Sequence, residues 1–341
     1  LNAEDGHIKA IALLSGGLDS TLAVKLMQER GIYILALNFV SPFCLCERRK
    51  GCASIAKYAA RRLGVKVRRI SLSRDYVEVL RRPRHGYGRN VNPCLDCRIL
   101  MFKRARNFMD EEGASFIITG EVLGQRPMSQ HLRAWAVIER EAGVEGLVVR
   151  PLSGGLLPPT LPEREGLIRR EWLLSIRGRS RKPQMRLAHE RGIDYYPCPA
   201  GGCLLTEPSF APRVRDLLVH CQTILVNDLN LLRYGRHFRL SPTTKAIVGR
   251  SQDENGKLEK LARPGDLLLE TMDRPGPVTL VRGSRLGDEL TLAARIHARY
   301  SDGSSDARVH IRCRVKGGCD FEPRSVLVTP ASGNEIEQLR I

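Results

Sequence analysis

Aromatic residues supply only 5% of this 341-residue chain, two of them tryptophans. So thin a supply argues against a stacking platform for long single-stranded nucleic acid. Acidic residues are also in deficit: 37 Asp and Glu stand against 55 Lys and Arg, a formal net charge of +18. That excess favours a polyanionic partner, most simply RNA or DNA. No apolar run is long enough to span a bilayer, so no membrane partner is expected. Residues Leu1–His7 lack the basic-then-apolar pattern of a secretory leader, and a cytoplasmic location is therefore expected. In that compartment ten cysteines point to metal binding or sulfur chemistry rather than disulfides. Internal repeats and low-complexity tracts are absent, and the length suits two or three domains.

What is present is organised around Ser15-Gly16-Gly17-Leu18-Asp19-Ser20. An apolar run, 8–14, precedes it, and Thr21 to Met27 follow with apolar residues at helical spacing, giving strand, glycine turn and helix. Glycines let backbone N–H groups close on phosphate oxygens, and the helix N-terminus adds partial positive charge. The hydroxyls of Ser15, Ser20 and Thr21 are expected to face the same anion. No Gly-Lys-Ser/Thr follows, so this is not a Walker loop.

Strand and helix patterns then alternate through 33–40, 53–63, 65–70, 95–112 and 115–119, which calls for a doubly wound parallel α/β sheet. Ligands of such sheets lie beyond the carboxyl ends of the strands, where Ser15, Asn38-Phe39 and Gly120-Glu121 all fall. Residues 123–205 are rich in Arg, Pro and Gly, and 208–220 reads as a closing helix. From about 225 short strands separated by Pro/Gly turns indicate a smaller α+β domain. The expected boundaries are 8–222, 225–320 and a C-terminal extension, 321–341.

Cys94 and Cys97 have C-x-x-C spacing at a helix start, where the dipole, Arg98 and Lys103 favour thiolates. Cys203 lies in the glycine turn 199–206, with Cys198 five residues earlier. The thiols alone leave three readings open: an iron–sulfur cluster, a zinc site using Cys94, Cys97, Cys198 and Cys203, or a redox dithiol. Cys44, Cys46 and Cys52 read as small buried thiols beside the second strand, and Cys221, Cys313 and Cys319 as structural. Arg179, Arg181 and Lys182 form a basic run suited to RNA phosphates.

Residues 8–220 resemble the PP-loop ATP pyrophosphatases of the tRNA thiolation group. The resemblance rests on Ser15–Ser20, Gly86-Tyr87-Gly88, Asn92–Arg98, Thr119–Gln130, Arg150–Ser153, Gly178–Lys182 and Pro199–Thr206. No N-terminal RNA-binding or rhodanese-type module of the kind some 4-thiouridine enzymes carry is evident. The resemblance implies an ATP-dependent sulfurtransferase that adenylates a uridine carbonyl oxygen of tRNA and replaces it with sulfur. It implies ATP held by Ser15, Gly16, Gly17, Ser20, Asn38, Phe39 and Gly120, with Asp19 orienting the loop or coordinating Mg²⁺. Glu121 is expected to support Mg²⁺ or serve as a general base, or else to cap a helix. It further implies a [4Fe-4S] cluster on Cys94, Cys97 and Cys203, or a persulfide on these cysteines. A cysteine desulfurase or inorganic sulfide would supply the sulfur, and a homodimer is compatible with this reading. A PP-loop enzyme on a small molecule and a non-catalytic RNA-binding protein are the alternatives. Residues 225–320 resemble the NFACT-R domain through Lys245–Asn255, Asp266-Leu267 and Pro275-Gly276-Pro277, although Leu267–Glu270 stand where that domain has Trp-x-His.

Overall fold

A computed structural model describes residues 8–44, 52–196, 203–283, 287–303, 308–317 and 324–341, with backbone alone at 52–54. It divides into two compact units, Leu1–Glu207 and Pro208–Ile341. Among the described residues no helix is long and apolar enough to cross a membrane. Cys46, Cys198, Cys319 and the turn at 199–202 lie outside the described residues, as does the side chain of Cys52.

In the first unit β1 (Lys9–Leu13), α1 (Leu18–Gln28), β2 (Tyr33–Val40), α2 (Cys52–Leu63) and β3 (Lys66–Ser71) follow in order. Next come α3 (Asp75–Arg81), α4 (Cys94–Glu111), β4 (Phe116–Thr119), α5 (Leu132–Ala142), β5 (Val148–Val149), α6 (Leu161–Arg164) and α7 (Lys182–Glu190). The strands are all parallel in the order β3-β2-β1-β4-β5, as the alternating pattern requires. Both faces are buried. Ala10, Ala12, Ile34, Ala36, Phe116 and Ile118 turn to the α1 side, and Ile11, Leu35, Leu37 and Ile117 to the α4 and α5 side. The order reverses at β1, flanked by β2 and β4, and the crevice beyond their carboxyl ends is the usual ligand position. Register brings Leu13 beside both Leu37 and Thr119, so the glycine loop, Asn38 and Gly120 begin at the same level.

The second unit holds α8 (Ala211–His220), α9 (Val226–Leu231), β6 (Arg236–Ser241), β7 (Thr244–Val248), α10 (Gln252–Leu261), β8 (Leu267–Thr271) and β9 (Thr279–Arg282). It closes with α11 (Asp288–Arg299), β10 (Val309–Val315), β11 (Arg324–Val328) and α12 (Gly333–Leu339). Its sheet is antiparallel throughout, in the order β11-β10-β8-β9-β7-β6. α11 and α12 cover one face, while Leu231 of α9 and Leu258 of α10 pack over β7, β8 and β9 on the other.

Two expected boundaries move. The helix read as closing the first domain belongs to the second unit, because Asp216 on α8 pairs with Arg239 at 2.7 Å and Lys245 at 2.9 Å. The expected extension 321–341 is integral: β11 pairs with β10, and Arg295 of α11 grips Glu335 of α12.

Candidate active site

The glycine loop is braced from within. Gly17 is the N-cap of α1 with extended backbone and no side-chain cap, which leaves first-turn N–H groups for an anion. The hydroxyls of Ser20 and Thr21 donate to the Gly17 carbonyl at 3.0 and 2.9 Å. They therefore hold the loop's shape rather than face a phosphate as expected. Ser15 remains exposed, its Oγ accepting from Gly17 N–H at 3.3 Å. Two glycines are sterically required. Gly16 has φ +77°, and a Cβ there would lie 2.7 Å from the Ala56 nitrogen. A Cβ on Gly120 would overlap the backbone of Asp19 and Ser20, so β4 ends pressed against the start of α1.

Beside this loop is a cavity of about 540 Å³ whose lining includes Ser15, Gly17, Asp19, Ser20, Asn38 and Phe39. Gly120 and Glu121 line it as well, with Arg98, Arg126, Arg179 and Arg181. Asn38 donates from Nδ2 to the Leu14 carbonyl at 2.9 Å, and its buried Oδ1 has no partner. Asp19 accepts from Gln125 Nε2 at 3.1 Å through Oδ2, while among the described residues its buried Oδ1 has no hydrogen-bond partner. Burial raises the Asp19 carboxyl pKa above the usual range, against the pull of Gln125, Arg181 and Arg126. A carboxylate oxygen held dry and unpaired fits a hard cation such as Mg²⁺.

Glu121 has a different place from the one expected. It is 2% exposed, with Oε1 engaged by Arg98 and Oε2 by Arg150 at 3.1 Å. Burial pushes its carboxyl up, but the two guanidiniums outweigh this and hold it below the ordinary value. An acid so thoroughly engaged is a poor base and positions arginines instead. No helix starts there for it to cap.

The distant cysteine reaches its partners through main-chain bonds. Leu204 N–H donates to Phe43 O, Val91 N–H donates to Leu205 O, and Asn90 Nδ2 donates to Thr206 O. Cys203 forms a β-bridge with Cys44, and Cys94 opens α4 with Cys97 one turn on. Cys97 lies within electrostatic reach of Cys94 and Cys44, and Cys203 within reach of all three. Cys44, read as a small buried thiol, thus joins this group. Burial pushes the Cys97 thiol up to about 11, opposed by a hydrogen bond with the Tyr76 hydroxyl, and Cys203 up to about 12. Among the described residues no three His, Cys, Asp or Glu are disposed to hold a metal ion; the zinc reading also needs Cys198, which lies outside them.

Among the described residues no cysteine lines the cavity. The link is made by arginines: Arg98 lines it directly after Cys97, and Arg126 lines it within electrostatic reach of both Asp19 and Cys94. The basic run also divides. Arg179 and Arg181 line the nucleotide-sized cavity, whereas Lys182 is exposed at the start of α7. Sequence reasoning placed Gln125, Arg126 and Arg150 within recognised motifs without giving them a role, and passed over Tyr76.

Comparison with known proteins bears on both units. Residues 6–155 match the family described as thiamine biosynthesis protein (ThiI), and residues 235–340 match the NFACT protein RNA binding domain. A "Probable tRNA sulfurtransferase" of Methanothermobacter thermautotrophicus is 36% identical over 153 residues, covering 43% of this chain and 36% of that protein. One of Thermococcus kodakarensis is 30% identical over 147 residues, covering 43% and 37%. The chain thus spans well under half the length of these relatives. A solved 4-thiouridine synthetase–RNA complex with bound ATP aligns over 66% of this chain and 52% of its own, at 24% identity and a TM-score of 0.37. The polypeptide therefore joins a segment matching the ThiI family, residues 6–155, to a segment matching the NFACT RNA-binding domain, residues 235–340.

Proposed function

We propose that this chain is an ATP-dependent tRNA sulfurtransferase of the cytoplasm. A uridine carbonyl oxygen is a poor leaving group and needs activation before sulfur can replace it. In the first step that oxygen attacks the α-phosphorus of ATP, the α–β bond breaks, and pyrophosphate leaves. First-turn N–H groups of α1, with Arg179 and Arg181, hold the phosphates. Asn38 Oδ1 accepts from the adenine amino group beside Phe39. Asp19 Oδ1 would hold Mg²⁺, which when bound would neutralise charge on a departing pyrophosphate.

In the second step sulfur at the sulfide level attacks the adenylated carbon, the C–O bond breaks and AMP leaves, with no net redox change. Inorganic sulfide would supply the sulfur at that level directly; a cysteine desulfurase would deliver sulfane sulfur, which reaches the sulfide level only as two thiols supply two electrons and close to a disulfide. Cys94 and Cys97 from one helix start and Cys203 from a loop are the residues that would hold a [4Fe-4S] cluster, although as described their side chains are not gathered around a metal ion. When bound, such a cluster would supply an open iron for sulfide.

The observation that carries this reading is the bridge of Arg98 and Arg126 between the glycine loop and the thiol group. The test is nucleoside mass spectrometry of tRNA from a strain lacking the gene. Loss of one thionucleoside, restored by the intact gene and not by Asp19→Asn, is expected. An unchanged profile overturns the proposal.

A further inference from the structure

Strand β10 carries an alternation the activity does not use. From Arg308 onward the chain reads Arg-Val-His-Ile-Arg-Cys-Arg. Val309, Ile311 and Cys313 are buried in the core shared with α11 and α12. Arg308, His310 and Arg312 therefore project from the opposite face, and all three are exposed. Consecutive side chains on one face of a strand stand about 7 Å apart, comparable with successive phosphates along an extended nucleic-acid strand.

The neighbours of this row decide what it can bind. Arg314, next in line, is engaged by Glu270 at 2.9 Å and Glu259 at 3.3 Å. Glu270 lies opposite Arg312 in register, yet its carboxylate is held by Arg314. Among the described residues no ion pair engages Arg308 or Arg312. Across the sheet, His310 faces Leu327 on β11, and on the other side the Met272 N–H donates to the His310 carbonyl. Leu327 is 51% exposed and Met272 50%. α9 and α10 pack on this face over β7, β8 and β9, while Arg312, Ser325 and Leu327 at the β10–β11 end remain open.

Resting on the reading that the substrate is RNA, we propose that an RNA strand lies along β10. In this arrangement Arg308 and Arg312 contact its phosphates, and Leu327 and Met272 pack against a base or ribose beside His310. Free guanidiniums in a row complement a polyanion, and an apolar flank offers a surface for a nucleobase face.

The experiment is fluorescence anisotropy of the full chain with an unmodified tRNA transcript over a salt series. Arg308→Ala/Arg312→Ala is expected to weaken binding about tenfold or more and to lower the salt slope by between about 1 and 2, since each lost phosphate contact removes roughly 0.7–0.9. Leu327→Ser/Met272→Ser should weaken binding with the slope unchanged. Arg340→Ala, exposed after α12 on the covered side, should leave both unaltered. Wild-type affinity and slope in the double arginine variant overturn this placement alone. So does an equal loss in Arg340→Ala, which would mark unlocalised attraction. A wild-type chain that binds no tRNA overturns the RNA reading itself. Circular dichroism melts of each variant confirm folding, and a variant melting with wild type keeps the comparison decisive.

Discussion

At the scale of single residues the site is a set of unpaired atoms held in place by paired ones. Among the described residues Asp19 Oδ1 and Asn38 Oδ1 lack hydrogen-bond partners, while Glu121 is engaged through both oxygens. The two carboxylates should therefore fail differently when made neutral. Asp19→Asn is expected to keep its melting temperature and to lose activity on the order of 10²-fold or more, read as ATP-dependent thiolation of a tRNA transcript. Glu121→Gln should instead lower stability by about 3 kcal/mol, because it leaves the half-buried Arg98 without its counter-charge and the buried Arg150 with Glu139 alone. A denaturant titration measures that loss; a variant as stable as wild type would restore Glu121 as a candidate base. Gly120→Ala should cost about 1–3 kcal/mol and weaken ATP binding, since a methyl group there displaces the Asp19 and Ser20 backbone. Ser15–Ser20 was legible in the sequence because its constraint is local: a turn, a dipole and close backbone approach. Arg126 and Arg150 stood inside recognised motifs, but their roles were not legible, because those come from residues on other elements.

At the scale of elements, the well-read pieces are those with apolar periodicity. β1, α1 and β2 bury nearly every inward residue. α10 escaped notice because Leu258 is its sole fully buried residue, so no apolar stripe marks it. α5 has a stripe, Trp135, Ile138 and Ala142, but its N-cap is His131, whose Nδ1 accepts from Ala134 N–H at 3.2 Å. Histidine is outside the usual cap set. α11 carries a pH-sensitive group. His297 is fully buried against β9, its Nδ1 and the Thr279 hydroxyl 2.8 Å apart, and burial lowers it from 6.5 to about 4. Between these values the unfolded chain binds a proton that the folded domain excludes, so stability rises with pH. The contribution, about 3 kcal/mol, is complete above the unfolded value and lost as pH falls toward the folded one. Thermal melts of residues 208–341 should fall steeply from pH 7 to pH 4, and His297→Gln should flatten that slope.

At the scale of the whole molecule, two units with separate cores follow from a change of hydrophobic period, from buried parallel strands to short antiparallel ones. The isolated segment 208–341 is expected to melt cooperatively, whereas 225–320 should not. The shorter piece loses the Asp216 pairs with Arg239 and Lys245, as well as β11 and α12. Two cooperative melts of equal midpoint would contradict this division. Taken alone, the sequence determined the fold class, the phosphate loop and the C-x-x-C pair, because each depends on residues a few positions apart. Only the tertiary structure decided that Cys44 joins Cys203, that Glu121 clamps arginines, and that Arg179 and Arg181 face the cavity. Those outcomes depend on contacts between strand ends and loops far apart in the chain, which spacing within a segment does not encode.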